Sequence, residues 1–258
     1  MSGTDLPDGY DSGSFEFATS LGVLTRRVVR RDAAGPTVIL LHEAGGLSPS
    51  TLDVAAVLAG EGYRIVMPVL TDAPWTWGKR SHVIANMVRI CVSRELAALS
   101  LGQTGAIVEW LRALADLEHN TTKRPVAVIG MCMTGGFALG TVTCPGVKAA
   151  VMSQPSLPFV LRIGRSDLGL SPSDLDDVKA SVGTGSCIRA MRFSRDRISP
   201  PSRLKLIQKT FPDAECRPVE TTNPKHHSVL ALAVRPDAWP DLRLALDETL
   251  AFLARHLS

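Results

Sequence analysis

The chain has 258 residues, 45% of them hydrophobic, and a formal net charge of +3. This length suits one α/β domain with a sizeable core, and lysines and arginines scattered along the chain argue against a nucleic-acid partner. No apolar run approaches the ~20 residues that cross a bilayer, and the polar start lacks the apolar segment of a secretory signal. The sequence therefore predicts a cytoplasmic protein without a membrane partner.

The number and spacing of the cysteines agree with a reducing compartment. Five cysteines are widely spaced and show no paired spacing of a metal site: Cys91, Cys132, Cys144, Cys187 and Cys216. Such a pattern favours free thiols. We expect all but Cys132 to be inert core residues, because a cysteine in an apolar stretch is usually there for packing.

The N-terminal part predicts a tail followed by a hairpin. Residues 1–14 are rich in Gly, Asp and Ser and are expected to form a mobile tail. A single domain is expected over 15–258. β-Forming residues at 15–18 and 24–29 flank Ser20-Leu21-Gly22, which is typical of an antiparallel hairpin.

Strands and helices alternate through the rest of the chain. The apolar run TVILL is typical of a strand buried on both faces of a parallel sheet. The predicted strands cover 37–41, 63–68, 126–129, 149–153, 188–193 and 216–220. The predicted helices cover 50–61, 84–99, 104–117, 172–182, 201–210 and 240–256, with a loop at 70–81 and a short helical segment after 136. This alternation predicts a mostly parallel, doubly wound sheet flanked by helices.

The stretch PVAVIGMCMTGG, residues 125–136, has the features of a strand that delivers a nucleophile to the start of a helix. An apolar strand is followed by Gly130, by Cys132 and then by Gly135 and Gly136. The glycines allow a sharp turn without a Cβ clash. The free N–H groups and positive dipole end of the following helix favour a thiolate on the turn.

Reactive side chains also follow three other predicted strands. Ligands of open α/β sheets bind beyond the carboxyl ends of strands. The residues found there are His42 and Glu43, Cys132, Asp196, and His226 with His227. The order nucleophile, acid, histidine is the order in which α/β-hydrolases assemble a triad.

Five motifs make the sequence resemble one family. GMCMTGG is similar to the G-x-C-x-G-G elbow of the dienelactone hydrolase family, a cysteine-dependent branch of the α/β-hydrolases, with Thr134 where the family has glycine. TVILLHEAGGL, LAGEGYRIVMP, FSRDRISPPSR and HSVL resemble other segments of that family. The resemblance spans nearly the whole chain after the tail, and it implies the α/β-hydrolase fold.

The resemblance also implies a set of site residues. These are Cys132 as nucleophile, His227 as its base, Asp196 as the orienting acid, Glu43 as a second carboxylate beside the thiol, and the backbone N–H groups of Ala44 and Met133 as an oxyanion hole. The chemistry needs these residue types, because a cysteine is only slightly ionised at neutral pH and a histidine oriented by a carboxylate activates it. No metal or organic cofactor is required.

The implied function is a hydrolase that opens a small lactone or cleaves a small ester through a thioester acyl-enzyme. An acyltransferase or thioesterase with the same triad is an alternative, since the elbow sets the chemistry but not the acceptor. A binding or redox-sensing protein on the same fold is an alternative of another class. We expect a monomer or small homo-oligomer.

Several residues have a second interpretation. Trp75 and Trp77 either line a substrate pocket or anchor a long loop, and His226 is either a pocket wall or a surface residue. Asp196 is alternatively a turn or helix-capping carboxylate, and Glu43 a structural carboxylate paired with an arginine. His42 is expected to support its loop. Three departures from the family pattern around the elbow should keep the turn but change the pocket lining: Met131, Met133 and Thr134.

Overall fold

The computed structural model describes residues 6–70, 105–156 and 168–258. Within these ranges the strands are β1 (Asp11–Thr19), β2 (Gly22–Arg31), β3 (Thr37–Leu41), β4 (Arg64–Pro68), β5 (Val126–Met131), β6 (Val147–Ser153), β7 (Cys187–Phe193) and β8 (Glu215–Val219). The helices are α1 (Pro49–Gly60), α2 (Ala106–Thr122), α3 (Gly135–Gly140), α4 (Pro172–Gly183), α5 (Pro201–Thr210), α6 (Val229–Ala233) and α7 (Pro240–Leu257).

The eight strands form one sheet in the order β1-β2-β4-β3-β5-β6-β7-β8. β1 pairs antiparallel with β2, and β2 antiparallel with β4. All pairs from β4 to β8 are parallel. The carboxyl ends of β3, β5, β6, β7 and β8 therefore meet at one edge, which is where the candidate site residues lie.

The continuous apolar strands are explained by a core on both faces of the sheet. In β3, Ile39 and Leu41 join the core cluster that contains α2, α3 and α4. Val38 and Leu40 join the cluster that contains α1, α6 and α7 on the other face. Every side chain of β3 is buried, as expected for a central parallel strand covered by helices on both sides.

The fold predicted from sequence is confirmed in this part of the chain. The hairpin is present, and β3 and α5 have the predicted bounds. β1 begins at Asp11, however, so residues 11–14 belong to the sheet and the predicted tail over 1–14 is wrong at its end. Their small polar side chains fit a strand whose residues are mostly exposed.

Two further differences concern elements between strands. The five-residue helix α6 is absent from the prediction, because it is too short for a helical period to show. The predicted helix at 84–99, and the predicted loop from residue 71 onward, lie outside the described residues. None of the helices in the described ranges combines the length and apolar character that crossing a bilayer requires.

Candidate active site

A tight turn between β5 and α3 presents Cys132. Its φ is +61°, a left-handed value that L side chains rarely adopt. A Cβ on Gly130 would lie 2.1 Å from the carbonyl oxygen of Thr134, so only glycine fits there. The turn thus depends on close backbone approach and holds Cys132 in a strained conformation, as many reactive residues are held.

The side chain of Thr134 holds this turn through hydrogen bonds. Its Oγ1 accepts a hydrogen bond from the N–H of Met131 at 2.8 Å and lies 2.8 Å from the Met131 carbonyl oxygen. The same hydroxyl lies 3.3 Å from the carbonyl oxygen of His42, at the end of β3. Met131 and Thr134 are only 1% and 2% exposed. Both residues are therefore buried at the base of the turn.

The Cys132 thiol has a hydroxyl partner. Its Sγ lies 3.1 Å from Oγ of Ser156, in the loop after β6. The backbone N–H of Ser156 donates to the Cys132 carbonyl oxygen at 3.1 Å. Two contacts therefore join the loop after β6 to the turn after β5.

His227 and Asp196 form a hydrogen-bonded pair. Nδ1 of His227 lies 2.7 Å from Oδ2 of Asp196, whose side chain is 1% exposed. Burial lowers the pKa of His227, but the hydrogen bond to Asp196 and the neighbouring Cys132 outweigh burial and raise the pKa to about 10. Although Cys132 is near enough to act on this pKa, Nε2 of His227 is buried and has no partner with hydrogen-bond geometry among the described residues.

The two carboxylate oxygens of Asp196 have different partners. Oδ1 accepts hydrogen bonds from the backbone N–H groups of Ile198 and Ser199, at 2.7 and 3.1 Å, as a turn carboxylate does. Oδ2 faces His227. One oxygen therefore fixes the loop, and the other remains for the imidazole.

Arg192 supports the same loop from inside the protein. It is 3% exposed, and its guanidinium donates to the carbonyl oxygens of Ser199 at 2.6 Å and of Asp196 at 2.8 Å. Burial lowers the pKa of Arg192, and the charge of Asp196 opposes that effect. This buried cation thus holds the backbone that carries the carboxylate.

Glu43 is bound by neutral side chains. Gln154 Nε2 donates to its Oε1 at 2.7 Å, and the Ser228 hydroxyl donates to its Oε2 at 2.9 Å. No arginine pairs with it among the described residues. Gln154 is fully buried, has a φ of +38°, and accepts the backbone N–H of Val229 at 3.0 Å through Oε1. Gln154 therefore connects the loops after β3, β6 and β8.

The other two histidines predicted at this edge of the sheet, His42 and His226, have different partners from those of His227. His42 is buried, faces the Glu43 carbonyl oxygen through Nδ1 at 2.7 Å, and accepts the Leu70 N–H at 2.9 Å. Burial lowers the pKa of His42 despite the hydrogen bond to Glu43, so this residue is a neutral support of its loop. His226 stacks on Trp239, with ring centroids 5.2 Å apart.

His226 belongs to a separate cavity. The cavity measures about 390 Å³ and is lined by Arg195, Glu220, Thr221, Thr222, His226 and Trp239. None of the residues predicted to be catalytic lines it. Trp75 and Trp77, the other residues predicted for the substrate pocket, lie outside the described residues.

The remaining described cysteines differ from Cys132. All four described cysteines are free. Burial raises the pKa of Cys144 to about 12 and that of Cys216 to about 11, and it also raises the pKa of Cys187. Such thiols are unreactive near neutral pH. Cys91 lies outside the described residues.

Sequence reasoning missed three polar side chains of this edge: Gln154, Ser156 and Ser228. The QPS segment was visible only as a loop after a strand, and Ser228 only as part of a motif around His227. Polar residues directly after a buried strand were the available signal. Among the described residues, no cluster of His, Cys, Asp or Glu side chains could hold a metal ion.

The sheet order, the turn that presents Cys132 and the paired His227 and Asp196 define the class of protein, an α/β-hydrolase. The dienelactone hydrolase family model matches residues 24–161, more than half of the chain. The chain belongs to the dienelactone hydrolase family and is an enzyme that hydrolyses esters or lactones.

Solved structures agree in fold. The chain is similar to a Klebsiella pneumoniae subsp. pneumoniae MGH 78578 protein named "Putative Dienelactone Hydrolase", with 16% identity, a TM-score of 0.56, and coverage of 96% of this chain and 100% of that one. It is similar to a cold-adapted esterase from an Arctic intertidal metagenomic library, with 16% identity, a TM-score of 0.59, and coverage of 98% and 97%. It is also similar to an esterase from Rhizomucor miehei, with 12% identity, a TM-score of 0.53, and coverage of 98% of this chain and 85% of that one. No curated protein matches the sequence.

Proposed function

We propose that the enzyme opens a small lactone or cleaves a small ester through a thioester acyl-enzyme on Cys132. The observation that carries the proposal is the pairing of two features at one edge of the sheet. Cys132 lies on a left-handed turn at the start of a helix, and His227, bonded to Asp196, is near enough for Cys132 to raise its pKa. A cysteine activated by an oriented histidine is a nucleophile for acyl transfer.

In the first step the Cys132 thiolate attacks the substrate carbonyl, and the negative charge moves to the carbonyl oxygen. The backbone N–H groups of Ala44 and Met133 are proposed to hold this oxyanion. Neither N–H donates a hydrogen bond to another group in the described part of the chain, which supports this role. The protonated His227 then gives its proton to the leaving oxygen as the C–O bond breaks.

In the second step water attacks the thioester. Acylation removes the charge of Cys132, which is one of the causes that raise the pKa of His227. The pKa therefore falls, and the neutral imidazole becomes able to take a proton from water. Breaking the C–S bond returns the electron pair to sulfur, releases the acid and regenerates the thiolate with a protonated His227.

We also propose a single-domain cytoplasmic enzyme that acts as a monomer or small homo-oligomer. The free state of the four described cysteines supports a reducing compartment. The continuous eight-stranded sheet supports one domain.

The test replaces Cys132 with alanine. Cys132→Ala should lower kcat/KM for an activated ester by about a thousandfold or more, since no other group forms the covalent intermediate. Cys144→Ala, at a buried thiol outside the site, is the matched control and should retain activity. Intact-protein mass spectrometry should detect an acyl adduct on the wild type and none on Cys132→Ala. Unchanged hydrolysis by folded Cys132→Ala would refute the proposal.

A further inference from the structure

The loop after β6 places a buried hydroxyl against the sulfur of Cys132. Ser156 is 5% exposed, and its Oγ lies 3.1 Å from Sγ. Among the described residues this hydroxyl has no other hydrogen-bond partner. The contact therefore involves a hydroxyl whose proton is not committed elsewhere in this part of the structure.

The loop is held firmly enough for this contact to be specific. The N–H of Gln154, in a left-handed conformation, donates to the Met191 carbonyl oxygen at 2.7 Å. The Ser199 hydroxyl donates to the Pro155 carbonyl oxygen at 2.8 Å. A Cβ on Gly135 would lie 2.9 Å from Cβ of Pro155, so the loop packs directly on the start of α3. The position of Ser156 is thus set by backbone and buried contacts.

Among the described residues, no other polar group near the turn has hydrogen-bond geometry to the sulfur. Both carboxylate oxygens of Glu43 are occupied, one by Gln154 and one by Ser228. Nε2 of His227 lacks a partner with hydrogen-bond geometry among the described residues. Within those residues, Ser156 is the group whose contact with Sγ of Cys132 has hydrogen-bond geometry, and His227 is near enough to interact with the same thiol.

We propose that Ser156 is a catalytic residue of this enzyme, whose hydroxyl donates a hydrogen bond to the thiolate of Cys132. This inference rests on the proposed function of Cys132. In the resting enzyme the bond stabilises the negative sulfur, because a hydrogen bond to the charged form of a group favours that form. During deacylation, the electron pair of the breaking C–S bond returns to sulfur, and Ser156 stabilises this leaving thiolate.

The design of a pH test must take account of the charged groups near the sulfur. His227, whose pKa is raised in part by Cys132, is near the sulfur, and Asp196 bonds to His227. Glu43 is joined to the same loop through Gln154. Since a substitution at Ser156 changes none of these charges, a shift in the titration of Cys132 reports the hydroxyl itself.

The test measures alkylation of Cys132 by iodoacetamide against pH, with peptide mass spectrometry following each cysteine separately. Ser156→Ala keeps the backbone N–H that bonds to Cys132 and removes only the hydroxyl. Its alkylation midpoint should rise by about one to two pH units, the tenfold to hundredfold effect of a hydrogen bond to a charged group. Ser156→Thr keeps a hydroxyl and should restore the wild-type midpoint. Ser156→Gly serves as a second deletion if the alanine variant does not fold.

The matched control is Ser186→Ala. Ser186 is a serine, 8% exposed, whose hydroxyl donates to the Val147 carbonyl oxygen, away from the site. This variant should leave the midpoint of Cys132 unchanged. With a chromogenic ester, Ser156→Ala should lower kcat by about tenfold. The acyl-enzyme should accumulate, because its C–S bond breaks more slowly when the leaving thiolate is less stabilised.

An unchanged alkylation midpoint in both deletion variants would overturn the inference, whatever their hydrolytic activity. The same conclusion would follow if Ser186→Ala shifted the midpoint as much as Ser156→Ala. Alkylation does not depend on hydrolysis, so activity of Cys132→Ala would refute the proposed function without affecting the measured midpoint.

Discussion

Two clusters of polar side chains lie along the sheet and use their groups in different ways. The reactive cluster consists of Glu43, Cys132, Gln154, Ser156, Asp196, His227 and Ser228. The ion-pair cluster, on β7, β8 and α7, consists of Arg189, Glu215, Arg217, Asp241, Glu248 and Arg255.

In the ion-pair cluster each charge faces an opposite charge. Arg189, only 3% exposed, bonds to Glu215 at 2.9 Å and to Glu248 at 2.6 Å. The reactive cluster instead leaves His227 Nε2 without a bonded partner among the described residues and holds Cys132 and Gln154 at positive φ. Removing one partner of a buried ion pair is strongly destabilising, whereas an unpaired atom near the strained Cys132, the proposed nucleophile, is available for chemistry.

The largest expected effect comes from separating His227 from its carboxylate. Asp196→Asn should lower kcat/KM by about a hundredfold to ten-thousandfold, because the imidazole loses the group that orients it. The wild-type rate should fall as pH rises through about 10, where His227 loses the proton that we propose it gives to the leaving group. Asp196 raises this pKa, so the substitution should move the alkaline limb to lower pH.

The measurement is kcat/KM against pH for both proteins. Asp176→Asn, at an exposed carboxylate that pairs with Lys179, is the control and should match the wild type. An alkaline limb that stays in place in Asp196→Asn would show that His227 is not the titrating group.

Disrupting the ion-pair cluster should affect stability rather than chemistry. Arg189→Ala should lower the free energy of unfolding by about 2–3 kcal/mol, less than for a fully buried pair because the remaining carboxylates of Glu215 and Glu248 are partly hydrated. Urea unfolding tests this. Arg235→Ala, at an exposed pair with Asp237, should change stability by less than about 0.5 kcal/mol. A large loss of kcat in folded Arg189→Ala would contradict the separation of the two clusters.

Gln154 should contribute to both stability and activity. Gln154→Ala removes one of the two partners of Glu43 and the partner of the Val229 N–H, so we expect a loss of about 1–2 kcal/mol in unfolding free energy. A fall of about tenfold in kcat/KM is also expected, since three loops lose their common anchor. Gln208→Ala, at an exposed amide, is the control. Wild-type activity in Gln154→Ala would limit its role to the fold.

The smallest expected effect concerns the backbone strain at Cys132, the proposed nucleophile. Cys132→Gly should be about 0.5–1 kcal/mol more stable than Cys132→Ala, because a Cβ at φ +61° is unfavourable. At Cys187, which begins the regular strand β7, alanine should instead be more stable than glycine. Equal stability of both pairs in urea unfolding would mean that the turn stores no strain.

The sequence by itself determined the sheet and the turn. Apolar runs such as TVILL predicted β3 to the residue, because a strand covered on both faces must be apolar throughout. Glycines beside Cys132 predicted the sharp turn, because the requirement for close backbone approach is local. The end of the tail and the short helix α6 were misjudged or missed, since small polar residues and five-residue helices leave a weak local pattern.

The tertiary structure alone decided how the side chains pair. His226 and His227 are neighbours of similar local sequence, and only packing places one on Trp239 and the other on Asp196. The contact of Cys132 with Ser156 joins residues 24 positions apart, and that of Glu43 with Ser228 joins residues 185 positions apart. No local periodicity encodes such contacts. They follow from parallel strands that bring the ends of distant segments to one edge of the sheet.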